Sequence, residues 1–153
     1  MASEKLLEFL NKGIALELQV SIQYLWQSIQ AKGVDGAVAK EIFRKAAIAE
    51  MKHAERLADR LDQLNGMPTT KPEEIHVGDS LIEMLTDDER NEEEAITLYK
   101  EAIQLAAKEG DYTTRRLLEE ILAEEEDHVG VLSDPIGHVN PFRRGVRRRG
   151  APS

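Results

Sequence analysis

The sequence predicts an all-α fold of four long helices, and three observations lead to this class. Leu, Ala, Glu, Lys and Arg favour helix, and they dominate a chain of 153 residues that is 41% hydrophobic but only 5% aromatic. Apolar residues recur at spacings of three and four along most of the chain. Breaks marked by glycine, proline or asparagine fall at three interior points, so that four periodic stretches remain.

The first two stretches predict a helical hairpin. The first indicates an amphipathic helix over residues 4–32, which Gly33 ends. Asp35 is the expected N-cap of a second helix, and Asn65-Gly66 ends that helix. The apolar face of the second helix carries Phe43, Ala46, Ala47, Leu57, Leu61 and Leu64.

The last two stretches predict a second hairpin. A third helix is expected from residue 79 or 80 to residue 109, and Gly110 separates it from a fourth helix over residues 111–132. The residues expected to face inward from the third helix are Leu81, Leu85, Ile96, Ile103 and Ala106.

The connection between the hairpins, residues 66–78, contains prolines and glycines and is predicted to be a loop. Thirteen extended residues span roughly 44 Å, and a 30-residue helix is about 45 Å long. The loop can therefore cross from one end of the bundle to the other, which makes the second and third helices parallel. The predicted architecture is a four-helix bundle of two helical hairpins joined by a long crossover loop.

The bundle is expected to occupy residues 1–132, and residues 133–153 are predicted to form an irregular C-terminal tail. Pro135 and Pro141 oppose helix, and five arginines lie between positions 143 and 149 of a chain whose net charge is −9. A basic arm of this kind can bind nucleic acid, but five charges without interleaved aromatic residues favour a solvated end.

Composition excludes several kinds of site. The chain contains no Cys, which excludes disulfides, zinc–thiolate sites, iron–sulfur clusters and a cysteine nucleophile. The sequence shows no signal-peptide pattern and no apolar run of 18 residues. We therefore expect a cytoplasmic protein that does not span a membrane.

Two of the predicted helices contain the motif Glu-x-x-His. Glu50 and His53 lie in the second helix, and Glu125 and His128 lie in the fourth. Residues i and i+3 share a helix face, and here that face continues the apolar stripe of each helix. A buried carboxylate is costly unless it is paired or binds a metal. Both motifs therefore predict a metal site inside the bundle.

The spacing of the motifs repeats and adds two more candidate ligands. Glu50 follows Glu17 by 33 residues, and Glu125 follows Glu92 by the same 33 residues. The midpoints of both intervals lie near the predicted turns, so each antiparallel hairpin places its two glutamates at one level. This register selects Glu92 from a run of three glutamates.

Four carboxylates and two imidazoles form a ligand set that suits iron or manganese, and zinc less exclusively. Glu50 and Glu125 are expected to bridge two metal ions. Glu17 and Glu92 would be terminal ligands beside the histidines, with open positions for dioxygen or peroxide.

Two tyrosines accompany the terminal glutamates. Tyr24 follows Glu17 by seven residues, and Tyr99 follows Glu92 by seven residues. They are candidates for hydrogen bonds to the metal carboxylates or for supplying electrons during oxidation, while packing beside a polar core explains them equally well. Tyr24 is therefore included with the six ligands among the candidate catalytic residues.

The pattern resembles the ferritin-like di-iron proteins, and most closely the bacterioferritins, over residues 1 to about 132. The segments that carry the likeness are Glu17-Leu18, Gln23-Tyr24, Glu50-Met51-Lys52-His53-Ala54, Ile82-Glu83-Met84-Leu85, Lys100-Glu101-Ala102-Ile103 and Glu120-Ile121-Leu122 through His128. The family arrangement is one Glu from each of two helices and Glu-x-x-His from each of the others. The resemblance implies a centre of two iron ions that oxidises Fe(II) with O2 or H2O2, for iron storage or detoxification.

The resemblance also implies a second cofactor and an assembly. Met51 matches the methionine that binds haem between two bacterioferritin subunits, so haem b is an alternative to plain packing at this position. The wide apolar arc around Trp26 indicates a homo-oligomer, at least a dimer. Bacterioferritins have a fifth helix that helps to close a hollow shell, and the predicted irregular tail leaves a shell and a smaller assembly equally open.

Two other functions fit the same residues. One is a di-metal peroxidase or catalase that resembles rubrerythrin or manganese catalase, although the absence of Cys excludes a rubredoxin domain from this chain. The other is a non-catalytic helical binding module with a nucleic-acid-binding tail. Measurement of Fe(II) oxidation distinguishes a peroxidase or catalase from a ferroxidase. Gel-shift assays with a tail-deleted variant test the nucleic-acid-binding module.

Overall fold

The computed structural model describes residues 1–134 and contains four α-helices there. Their bounds are Glu4–Gln30 (α1), Gly33–Gln63 (α2), Leu81–Glu109 (α3) and Tyr112–Ser133 (α4). The predicted all-α fold of four helices is thus confirmed. None of these four helices has the apolar length that a membrane span needs. Residues 135–153, which hold the five tail arginines, lie outside the described residues, so the predicted tail stays a prediction.

Local sequence explains where three of the helices begin. The side chains of Ser3, Ser80 and Asp111 each accept a hydrogen bond from the backbone N–H three residues later, at 3.2, 3.2 and 3.0 Å. Such caps satisfy amides that have no partner inside the helix. Gly110 follows α3 with a φ of 74°, a left-handed conformation that glycine adopts without steric cost.

The start of α2 differs from the prediction. Asp35 is not the N-cap, because it lies in the first turn, and the N-cap is Lys32, whose side chain makes no capping bond. Gly33 explains the difference, since its φ of 76° reverses the chain abruptly and lets the helix begin earlier than predicted. Asp35 instead places a negative charge in the first turn, where the helix dipole favours it.

The connection between α2 and α3 runs along α1. The backbone carbonyl of Met67 accepts a hydrogen bond from Asn11 at 3.0 Å, and the carbonyl of Val77 accepts one from Gln27 at 2.9 Å. The loop therefore follows α1 from near its start to near its end. As the length of the loop predicts, α2 and α3 are parallel and belong to two different hairpins.

The core consists of two apolar clusters at different heights in the bundle. Leu57 and Leu118 belong to one cluster, and Phe43 and Leu132 belong to the other. On every helix a short polar segment separates the residues of the two clusters. The interior between the clusters is therefore polar, and apolar side chains close it from above and below.

The inward face of α3 agrees only in part with the one that the apolar spacing predicts. Ala106 is fully buried, and Leu81, Leu85 and Ile103 are half-buried against the core clusters, as Ile96 is half-buried on the same helix. The buried stripe contains Met84, Asp88, Asn91, Glu92, Ala95, Leu98, Tyr99, Ala102 and Ala106. The helix is rotated from the predicted face because polar residues of this stripe have hydrogen-bonding partners on α1, so that burying them is less costly.

Candidate metal centre

A middle segment of each helix contributes to a cluster of polar side chains in the interior. α1 and α3 each provide one glutamate, and α2 and α4 each provide a Glu-x-x-His pair. The structure thus brings together all six residues that the sequence singles out: Glu17, Glu50, His53, Glu92, Glu125 and His128. The first five are at most 2% exposed, whereas the side chain of His128 is 19% exposed.

The ligand atoms form two overlapping groups, each compact enough to surround one ion. Within each group the atoms lie within 4.8 Å of one another. The groups are Glu17, Glu50, His53 and Glu125 on one side, and Glu50, Glu92, Glu125 and His128 on the other. Glu50 and Glu125 belong to both groups, so each can offer one carboxylate oxygen to either ion.

Both imidazoles direct Nδ1 into the centre. His53 Nδ1 lies 2.9 Å from Glu50 Oε2 and 2.9 Å from Glu125 Oε1. His128 Nδ1 lies 2.6 Å from Glu50 Oε1 and 3.3 Å from Glu125 Oε2. The ring centroids are 5.9 Å apart. The same nitrogen of each ring is therefore placed beside one shared pair of carboxylates.

Two tyrosines connect the hairpins at the centre. The Tyr24 hydroxyl donates a hydrogen bond to Glu92 Oε1, and the Tyr99 hydroxyl donates one to Glu17 Oε1. Both tyrosines are completely buried. Because Tyr24 lies on α1 and Tyr99 on α3, each fixes the orientation of a glutamate from the other hairpin.

The charges of the cluster perturb one another strongly. Burial, followed by the negative charges of Glu50 and Glu125, raises the pKa of Glu17 and of Glu92. Burial acts to lower the pKa of His128, but the close approach of the negatively charged Glu125 and Glu50 carboxylates outweighs it and raises this pKa to about 10. Without a cation, the cluster therefore retains protons on groups that would otherwise be metal ligands.

The donor atoms fit a pair of cations. Both carboxylate oxygens of Glu50, Oε2 of Glu125 and Nδ1 of His128 are buried and have no hydrogen-bond partner among the described residues. Buried acceptors without a donor are costly, and a cation that accepts their electron pairs removes that cost. Four carboxylates balance two divalent ions, and the mixture of oxygen and nitrogen donors suits iron or manganese.

A second buried polar cluster lies beside the centre. Asp88 is completely buried, and its Oδ1 accepts hydrogen bonds from Nε2 of Gln23 and of Gln27, each at 2.8 Å. Burial raises the pKa of Asp88 to about 7, although these two hydrogen bonds oppose the shift. The sequence reasoning missed this cluster, since its members lie on two helices. The available signal was Gln23 and Gln27, four residues apart on the buried face of α1.

The two sides of the centre differ around the outer nitrogen of the imidazole. His53 Nε2 lies 2.7 Å from Glu124 Oε2, and Glu124 Oε1 accepts a hydrogen bond from Arg56 at 3.2 Å. His128 instead borders a cavity of about 530 Å³ between α2 and α4. The other lining residues are Val38, Glu41, Ile42, Lys45, Ala46, Ala49, Val131 and Leu132. Nothing in the sequence motif distinguished Glu124 from the glutamates that follow it.

Met51 lies apart from the metal ligands. Its side chain is 49% exposed on α2, and Ile48 on the same helix is 50% exposed. Leu25, Trp26 and Ile29 of α1 are also exposed, at 43–53%. The first hairpin therefore presents large apolar side chains to the surface on both of its helices.

The chain is similar to known proteins in sequence and in structure. The family model of the ferritin-like domain matches residues 7–140. A bacterioferritin of Desulfovibrio desulfuricans is 32% identical over 136 residues, which cover 88% of this chain and 76% of that protein. A bacterioferritin of Brucella melitensis is 34% identical over 133 residues, which cover 84% and 80%. A crystal structure of ferritin-like, di-iron carboxylate proteins from Bacillus anthracis matches with a TM-score of 0.85 and 28% identity, over 89% of this chain and 99% of that one.

Proposed function

This chain belongs to the ferritin-like domain family, and from that premise we propose that it is a di-iron ferroxidase, which oxidises Fe(II) with O2 or H2O2 in iron storage or detoxification. One observation carries the proposal: two buried ligand groups overlap and share Glu50 and Glu125. The likeness to bacterioferritins and to di-iron carboxylate proteins favours iron among the metals that suit these donors.

The proposed roles follow the two ligand groups. Glu50 and Glu125 would be ligands of both ions, because each belongs to both groups. Glu17 and His53 would hold one ion in addition, and Glu92 and His128 would hold the other.

Bound iron supplies the redox chemistry: two Fe(II) ions give two electrons, which with two protons reduce O2 to H2O2 or H2O2 to two H2O. The chain itself limits the access of water, since apolar clusters close the centre from above and below, while His128 faces a cavity at the side. Tyr24 and Tyr99 each hold a proton against Oε1 of a terminal glutamate and keep that carboxylate oriented. We include Tyr24 in the proposed catalytic set for this reason.

Aerobic oxidation of Fe(II) by the metal-free protein, followed by ferric absorbance, tests the proposal. The double variant Glu50→Ala/Glu125→Ala should lower the initial rate by more than about 100-fold, because loss of a bridging ligand exceeds the 10–100-fold cost of losing an outer partner. The control Glu55→Ala/Glu126→Ala removes two exposed glutamates from the same helices and should leave the rate unchanged. An unchanged rate in the Glu50→Ala/Glu125→Ala protein contradicts a ferroxidase centre.

Metal content and oxidant use separate the proposed function from its alternatives. Elemental analysis of the purified protein should give about two iron ions per chain beyond any stored mineral, with little manganese. A ferroxidase accumulates ferric iron as the oxidant disappears. A peroxidase or catalase consumes H2O2 without such accumulation.

We also propose that Met51 binds haem b between two copies of the chain. The exposed thioether of Met51 would hold the haem iron together with the same thioether of a second copy. Haem added to the purified protein should give a bis-thioether absorption spectrum that Met51→Leu abolishes. Trp26→Glu should shift the protein toward the monomer in sedimentation, because it places a charge on the exposed apolar surface.

A further inference from the structure

The two hairpins repeat one design with an offset of 75 residues. Glu17 corresponds to Glu92, and Tyr24 corresponds to Tyr99. The same offset relates the Glu-x-x-His motif of α2 to that of α4. A centre built from equivalent halves would offer two equivalent metal positions. Any residue that breaks the repeat is therefore informative about how the positions differ.

The repeat is broken at Glu124. Its Oε2 lies 2.7 Å from His53 Nε2, and its Oε1 accepts a hydrogen bond from Arg56 Nη1 at 3.2 Å. Arg56 Nη2 also donates to Glu120 Oε2 at 2.7 Å. The Glu124 carboxylate is thus held in place from both sides, although its side chain is 50% exposed. Because the Glu124 carboxylate accepts a hydrogen bond from Nε2, a neutral His53 ring carries its proton on Nε2. Its Nδ1 is then unprotonated and faces the centre.

His128 has no such partner. The residue that corresponds to Glu124 under the offset is Ala49, and the residue that corresponds to Arg56 is Val131. Both line the cavity beside His128. Among the described residues, no side chain hydrogen-bonds His128 Nε2. The tautomer and the orientation of this ring are therefore less restrained than those of His53.

We propose that Glu124 is a positioning residue that makes the two metal positions unequal, so that the Glu17/His53 position binds its ion more tightly than the Glu92/His128 position. The inference rests on the proposed function, because it assumes that the centre binds metal. A carboxylate that accepts from the outer nitrogen of a ligating histidine fixes the ring and increases its basicity as a ligand, and loss of such a partner typically costs 10–100-fold in affinity. The ion at the Glu92/His128 position is consequently the one that exchanges first, beside the cavity at His128.

Single-position variants isolate each half of the centre. Glu92→Ala removes the terminal carboxylate of one position and leaves the Glu17/His53 position, whereas Glu17→Ala does the reverse. Titration of the metal-free full chain with Co(II) under anaerobic conditions gives one dissociation constant for each variant. Because each variant retains only one metal position, its dissociation constant is free of the repulsion between two bound ions. In the parent chain, that repulsion would make the second ion bind more weakly than the first even if the two positions were identical. We expect the Glu92→Ala protein to bind Co(II) about 10–100-fold more tightly than the Glu17→Ala protein.

A second substitution identifies the cause of the difference. Glu124→Ala should raise the dissociation constant by about 10–100-fold in the Glu92→Ala background and by less than about twofold in the Glu17→Ala background. Glu124→Gln retains an oxygen that accepts from Nε2 and should restore part of the affinity. Ala49→Glu supplies the missing partner on the other side and should strengthen binding in the Glu17→Ala background. Glu126→Ala, which removes an exposed charge from the same turn, is the control and should change neither background.

Nuclear magnetic resonance of the Zn(II)-loaded protein supplies a readout that a purely structural role would not change. The Nε2–H proton of His53 should exchange slowly with water in the parent chain and in Glu124→Gln. It should exchange rapidly in Glu124→Ala, while helix content stays constant.

Three results would overturn the inference. They are equal Co(II) affinities in the two single-position variants, tighter binding at the Glu92/His128 position, or an effect of Glu124→Ala that Glu126→Ala reproduces. Failure of the parent chain to bind Co(II) or Fe(II) at all has a different meaning, because it contradicts the proposed function itself.

Discussion

The metal centre and the Asp88 cluster are two buried polar regions that differ in how their charges are compensated. Asp88 lies four residues before Glu92 on α3, so both regions use the same buried stripe. In the Asp88 cluster, two amide N–H groups donate to Oδ1 of Asp88, whereas its Oδ2 is buried without a hydrogen-bond partner among the described residues. In the centre, carboxylates face one another and the histidines, and both oxygens of Glu50 have no hydrogen-bond partner among the described residues.

This difference separates a buried carboxylate with amide donors from a cluster whose donor atoms fit a cation. Neutral amides reduce the cost of burying Asp88, and a bound proton compensates the rest, as its pKa of about 7 indicates. In the candidate metal centre, four glutamates converge, and either retained protons or bound cations compensate their charge. Burial of a carboxylate alone is therefore a weak indication of a metal site. The number of hydrogen-bond donors around its oxygens must be considered as well.

The largest expected effect comes from substituting Glu50, which should affect metal binding, whereas substitution of Asp88 should not. Glu50→Ala should reduce the binding of Co(II) at both positions by more than about 100-fold, because Glu50 belongs to both ligand groups. Asp88→Asn should still bind two Co(II) ions per chain with parent affinity. Isothermal titration calorimetry measures the affinity and the stoichiometry of Co(II) binding in both variants. A loss of metal in Asp88→Asn would mean that the two clusters form one site.

Metal binding should stabilise the fold through the centre alone. At a free Co(II) concentration of about 100 times the dissociation constant of a position, mass action at that position adds about 2.7 kcal/mol to the free energy of unfolding. Urea unfolding with and without Co(II) measures this gain. The gain should be kept in Asp88→Asn and absent in Glu50→Ala, and an equal gain in Glu50→Ala would place the stabilising ion elsewhere.

Asp88 should make stability depend on pH. Its folded pKa of about 7 lies above the ordinary value of 3.8, so the folded state binds the extra proton between these values. The contribution of Asp88 to stability is therefore complete below about pH 4 and is lost as the pH rises to about 7, with a slope of at most about 1.4 kcal/mol per pH unit.

Substitution of Asp88 isolates this contribution from those of the metal ligands. Between pH 5 and pH 8, Asp88→Asn should gain about 2–3 kcal/mol in the free energy of unfolding relative to the parent chain, since asparagine does not titrate. Urea unfolding of the metal-free proteins across this range measures the difference. The exposed control Asp62→Asn should follow the parent curve, and a parallel curve for Asp88→Asn would contradict the raised pKa.

The smallest expected effect concerns the tyrosines. Tyr24→Phe and Tyr99→Phe should each lower the free energy of unfolding of the Co(II)-loaded protein by about 1 kcal/mol, because each removes one hydrogen bond to a terminal glutamate. Tyr112→Phe alters a tyrosine that is 66% exposed and should have no effect. Thermal unfolding measures all three. A much larger loss for Tyr24→Phe alone would indicate that the Asp88 cluster, next to Tyr24, depends on this hydroxyl.

Helix positions were predictable because the signals that end helices are local. Gly110 stops α3 and Asp111 caps α4 within one residue of the predicted bounds. The start of α2 was missed because the left-handed conformation of Gly33 overrides the capping preference of Asp35. The inward face of α3 was predicted only in part, for another reason. Apolar spacing does not reveal that α1 provides hydrogen bonds for Asp88.

The sequence by itself determined the four helices, the parallel arrangement of α2 and α3, and which six residues meet. These follow from periodicity, loop length and a repeated spacing, all of which are properties of one chain read in order. Only the tertiary structure decided which atoms face each other across helices. The amides around Asp88, the exchange of tyrosines between hairpins and the contact of Glu124 with His53 depend on packing angles and rotamers. Sequence spacing constrains a single helix, whereas these contacts join helices whose relative rotation is set by the whole core.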